Sequence, residues 1–299
     1  MKQMKKSIQF IVLTCVVSWA AAGAAIFLGL RAAAGLVYTL FASGYMLLPA
    51  ACSIILQAIH KEKLFSGFKI SFRPNWWFLA AGLVPIVYAF TALGASLLFP
   101  NVSFSSSYEG VLSNLTEEQM ESAVQQLTRF PPVVFILIQI ANSLIAGYTI
   151  NAFFAFGEEL GWRGYLLKTL QSKKLLPVSL VIGSVWGLWH FPLILIGHNY
   201  PQHPAAGTGM MIIFCILLTP VMIYIVIKSK SLITAAFFHG TLNAVGGISI
   251  LYLAGGSDLT NGITGFAGFA ALLLINLAFF MYDKFITKEN IFTKVIGEY

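Results

Sequence analysis

Thr208-Gly-Met-Met-Ile-Ile-Phe-Cys-Ile-Leu-Leu-Thr-Pro-Val-Met-Ile-Tyr-Ile-Val-Ile227 runs for twenty residues without a charged side chain, and Lys228 and Lys230 close it. As a helix at about 1.5 Å per residue it is roughly 30 Å long, the thickness of a bilayer's hydrocarbon core. The same criterion picks out 7–30, 34–59, 76–99, 132–157, 176–196, 231–254 and 263–283. The reading is an all-α polytopic membrane protein. It is an eight-transmembrane-helix bundle, with 1–299 as a single membrane domain. Composition agrees. Of 299 residues 58% are hydrophobic and 10% charged, against roughly 25% charged in a soluble domain. A soluble enzyme and a disordered chain are both excluded. Met1 to Lys6 resembles the start of a signal peptide. The apolar run behind it continues to about Leu30, so it reads as an uncleaved first span.

The net charge of +7 is explained by orientation in a bilayer rather than by nucleic acid. With the N-terminus in the cytoplasm and sides alternating, the inner segments hold Lys2, Lys5, Lys6, Lys61, Lys63, Lys69, Arg73, Lys168, Lys173, Lys174, Lys228, Lys230, Lys284, Lys288 and Lys294. The outer loops hold Arg31 and Arg129. Fifteen against two supports eight spans with both termini inside the plasma membrane. The long outer loop, 100–131, offers Thr116 and Gln119 as a capping box before a polar helix to about Leu127, read as a solvated surface helix. Asn101 and Asn114 begin N-x-S/T sequons on that side. Cys15, Cys52 and Cys215 lie in apolar runs without metal-ligand spacing and read as core thiols.

Five ionisable residues fall inside apolar segments: Glu158, Glu159, Arg163, His190 and His239. Such groups face interior cavities and mark function. Four residues apart on a helix, Glu159 and Arg163 share a face and can pair. Glu158 points about 100° away and is left for other work. The segment 132–172 is too long for one straight span and should kink near Gly147 or Gly157. Glu158 lies 16 residues before Lys174 and His190 lies 16 after it, so a helical hairpin puts both roughly 24 Å from that turn. His239 and Asn243 share one face of the span that follows Lys230. Three helices within 130–255 thus converge on an intramembrane polar cavity. His60, His198 and His203 read as solvated loop histidines, Asp283 as a helix end, and Asn142 and Asn151 as helix bridges.

A carboxylate and a His can activate a water, and a second His with an Asn can stabilise an oxyanion. Glu158 with His190, and His239 with Asn243, would make a peptide-bond hydrolase with no GxSxG or HExxH motif. The cofactor expectation is none. Two alternatives stay open: a zinc site built from Glu158, His190 and His239, and a non-enzymatic transporter or immunity protein with a polar relay.

Glu158-Glu159-Leu-Gly-Trp-Arg163 resembles the EExxxR motif of the CAAX-protease and bacteriocin-processing family of intramembrane glutamic endopeptidases. Trp186-Gly-Leu-Trp-His190 is similar to its FxxxH motif, with Trp for Phe, and His239-Gly-Thr-Leu-Asn243 to its HxxxN motif. The three stand in the family's order over about 155–245. The resemblance implies an eight-helix fold whose cavity opens toward the cytosol and the bilayer. It implies water activation by Glu158 and His190, and an oxyanion hole of His239 and Asn243. Glu159 and Arg163 become the supporting ion pair. The implied partners are the lipid bilayer and a membrane-associated peptide or protein. The eukaryotic branch trims prenylated C-terminal tails. The motif's wording here looks bacterial, and bacterial members are associated with bacteriocin self-immunity and peptide processing.

Overall fold

The computed structural model describes residues 2–106, 108, 112, 117–127 and 129–298. The helices are α1 (Lys2–Phe27), α2 (Leu36–Tyr45), α3 (Leu48–Ile59), α4 (Trp76–Ser96), α5 (Glu117–Leu127), α6 (Pro132–Tyr148), α7 (Ile150–Glu159), α8 (Leu175–Trp189), α9 (Pro204–Ser229), α10 (Ile233–Val245) and α11 (Phe266–Met281). A π-helical stretch, Leu160–Leu166, and a last turn, Leu167–Leu170, prolong α7. Two three-residue strands not expected from the sequence, β1 (Val102–Phe104) and β2 (Leu253–Gly255), pair antiparallel. α5 occupies the polar stretch expected to be helical. Thr116, of the expected capping box, and Asn114 lie outside the described residues.

Among the described residues five helices are long and apolar enough to cross a membrane, and six if the bent pair α6–α7 is one span. The segments read as the fifth and seventh spans are shorter than expected. α8 has 15 residues and α10 has 13. Pro192 explains the first, because it has no N–H to continue the ladder, so α8 stops before Phe191–Leu195. After α10 the chain turns through Gly246–Ser249 into β2 instead of continuing to 254. The kink expected in 132–172 falls at Thr149, where α6 and α7 meet at 49°. Gly147 beside it admits α10. A Cβ there would lie 2.6 Å from the Cα of Thr241. Reciprocally, a Cβ on Gly240 would lie 2.7 Å from the Ala152 nitrogen. Small residues on both sides let the backbones close up, and Asn151 Nδ2 donates to the Gly240 carbonyl across the seam at 3.2 Å.

The lysine-bearing segments gather at one end of the bundle. Glu62, after α3, accepts from Lys6 of α1 and from Lys168 beyond α7. The Leu232 N–H donates to Lys69 O at 3.1 Å, and the Ile296 N–H to Lys173 O at 3.0 Å. Lys228 pairs with Glu289 at 2.6 Å. Asp283, the expected helix end, is buried and accepts the Phe292 N–H at 3.3 Å. At the opposite end Ala32 N–H meets Ile196 O at 3.3 Å, and Tyr200 donates to Thr264 O at 2.8 Å. The β1–β2 ladder closes the same end.

Candidate functional site

The α8 terminus sets the site. At the break the His190 N–H turns to Gly187 O at 3.2 Å instead of continuing the α-helical ladder to Trp186. That frees the Trp186 carbonyl, and buried orphan carbonyls find partners. His190 Nδ1 bonds it at 2.8 Å. With Nδ1 carrying that proton, Nε2 is the ring's free nitrogen. The carbonyl of Trp189 is likewise taken, by Tyr45 at 3.1 Å and by Trp19 at 3.3 Å.

Trp186 reaches the other way with its side chain. Its indole N–H donates to Glu158 Oε2 at 2.7 Å. Glu158 and His190, expected at matched depth, are thus joined through one residue. Glu159 faces elsewhere, as the helical angle requires. Its Oε1 accepts from Arg163 Nη1 at 3.1 Å and from His239 Nδ1 at 2.9 Å. The π winding leaves Arg163 on Glu159's face. The Arg163 guanidinium also stacks on the Trp186 ring at 4.2 Å and donates to Thr219 at 3.3 Å. Glu159 and Arg163 have fully buried side chains, so each is the other's counter-charge where water cannot reach, and His239 and Thr219 add hydrogen bonds to the pair.

Glu158, His190, His239 and Asn243 all line one cavity of about 750 Å³. The sequence-expected residues are therefore brought together, with Glu159 and Arg163 behind them. Trp186 and Trp189 line the cavity too, whereas Trp162 is buried in the core. Asn151, expected to bridge helices, does so and also reaches the cavity. Cys215, a free buried thiol, lies on its wall.

His198 corrects the sequence reading. It is not a solvated loop histidine but a half-buried one on the cavity wall. Its ring lies parallel to that of His190, 6.3 Å away, and against Tyr38 at 5.9 Å. Preceded by Gly197 and eight residues beyond His190, it carried no periodic signal. The chain reversal after Pro192 returns it to the site, and no spacing rule anticipates that. His60 bonds Gln9 at 2.9 Å and the exposed His203 bonds Asp258 at 2.6 Å, both structural contacts.

The sequence comparisons agree with the motifs. Residues 132–245 match the family model of type II CAAX prenyl endopeptidase Rce1-like proteins. Over 254 residues the chain is 28% identical to a CAAX prenyl protease 2 of Methanococcus maripaludis, covering 83% of each chain. The chain is thus similar to the Rce1-like CAAX prenyl endopeptidases across the segment that carries every candidate residue, and to a CAAX prenyl protease 2 along most of its length.

Proposed function

We propose that the protein is an intramembrane endopeptidase that hydrolyses a peptide bond of a membrane-associated peptide or protein, using a water activated by Glu158. The observation that carries this reading is the meeting of Glu158, His190, His239 and Asn243 on one cavity, within a segment similar to CAAX prenyl endopeptidases. Glu158 takes a proton from water as its oxygen attacks the scissile carbonyl carbon. His190 Nε2 accepts a hydrogen bond from the same water. His239, with Nδ1 held by Glu159, presents its other nitrogen. In the imidazolium form that nitrogen donates, with the Asn243 amide, to the oxyanion. As the C–N bond breaks, the proton on Glu158 passes to the leaving amine.

The scheme assigns the water to Glu158 and His190 and routes no step through a metal. The test is purified protein in proteoliposomes with a library of membrane-inserted peptides. Wild type yields discrete cleavage products, and Glu158→Gln yields none while keeping its thermal melt. Equal cleavage by both would remove Glu158 from the chemistry.

A further inference from the structure

The cavity has a direction. Its exposed rim is formed by Asn199, Pro201 and Gln202 of the loop before α9, and by Gly255 and Gly256 at the end of β2. Thr39, near the start of α2, stands on the same side. Nothing among its lining residues comes from 60–75, 167–174, 228–232 or 284–298, the segments that carry the lysines away from α1. Rim and lysines therefore occupy opposite ends of the bundle. Depth agrees. His190 follows the 15-residue α8, roughly 23 Å along the helix from Lys174. In a hydrocarbon core about 30 Å thick, that is beyond the midplane.

Lysine-rich loops stay in the cytoplasm. We infer that the cavity opens to the outer face of the membrane. Its substrate is then a peptide segment presented at the outer leaflet, such as one already translocated, and not a cytosolic tail. Family likeness implies a cytosolic opening, and the charge pattern of this chain assigns the reverse. The inference deepens the endopeptidase reading and rests on it for the word substrate, while the direction of opening stands apart from catalysis.

The test is Gln202→Cys in the full chain, probed with a membrane-impermeant maleimide. Cys52 and Cys215 are buried and Cys15 lies within α1, so wild type is the blank. Lys63→Cys marks the opposite end. Gln202→Cys should label at least about tenfold more strongly in spheroplasts than in inside-out vesicles, and Lys63→Cys the reverse. Labelling of Gln202→Cys confined to inverted vesicles, or equal on both faces, overturns the inference. A C-terminal epitope on the unsubstituted chain gives the same answer without a cysteine. It should be reached by antibody only after permeabilisation, and access in sealed spheroplasts overturns the orientation. Neither readout needs turnover. An inactive Glu158→Gln with inward-facing Gln202 would sink the inference and leave the endopeptidase reading standing. An outward Gln202 with a fully active Glu158→Gln would do the opposite.

Discussion

The Trp186 indole N–H donates to Glu158 Oε2 at 2.7 Å. The carbonyl of Trp186 holds His190 at 2.8 Å, so one residue aligns both groups assigned to the water. A Phe here, as in the family motif this stretch resembles, could keep the second contact but not the first.

Trp186→Phe should therefore fold and bind but turn over slowly. A hydrogen bond to a charged group is worth about 1.5–3 kcal/mol, so kcat should fall roughly 10- to 100-fold with KM nearly unchanged. Steady-state kinetics on a cleaved peptide would read this. An unchanged kcat would mean that the indole bond does not orient Glu158.

Asn243 lines the cavity and its side chain is exposed to it, so removing the amide should cost chemistry and not stability. Asn243→Ala should lower kcat by about 100- to 1,000-fold, the usual loss for an oxyanion donor, with an unaltered melt. A loss below about threefold would take Asn243 out of the oxyanion hole.

Glu159→Gln and Arg163→Ala should weaken the fold as well as the activity. Each leaves a charge or donor in a fully buried site, and breaking such a pair costs about 3–5 kcal/mol. At about 2 °C per kcal/mol for a chain of this size, the melt should drop by roughly 6 °C or more. Wild-type melting in both variants would contradict the ion pair.

Glu62 ties α1 to the end of the α7 extension at the lysine-bearing end. Partial burial pushes its carboxyl up, and hydrogen bonds from Lys6 and Lys168 outweigh that and leave it below the usual carboxylate value. A lowered folded-state pKa contributes stability above the unfolded value and loses it as pH falls through the folded value. Glu62→Gln should thus melt about 2–4 °C below wild type at neutral pH. The gap should close in strong acid, where both side chains are neutral. A gap independent of pH would assign the loss to packing alone.

Cleavage should also survive exhaustive chelation and a metal-free buffer, since the scheme assigns the water to Glu158 and His190. Loss of activity restored by zinc would replace it with a metal-held water.

The membrane-spanning character of the chain and the residues that meet on the cavity could be read from the sequence because charge in a membrane is costly. Few ionisable groups sit in apolar runs, so Glu158, Glu159, Arg163, His190 and His239 stood out. Apolar length alone did not reveal where helices stop. Pro192 ends α8 inside an unbroken hydrophobic run, and α10 gives way to a 3₁₀ turn and β2. The role of Trp186 was hidden because a Trp in an apolar stretch ordinarily packs. Its N–H gains meaning only when Glu158 is beside it. His198 was hidden by distance along the chain, since a reversal and not a helical period brings it to His190.

The central claim is that Glu158 enables cleavage of a membrane peptide. The most direct measurement compares the membrane proteomes of cells carrying wild type and Glu158→Ala at equal protein level. The account predicts at least one peptide or protein that accumulates uncleaved in Glu158→Ala, with its shortened form present in wild type alone. Identical peptide termini in both, alongside full biological activity of Glu158→Ala, would contradict it.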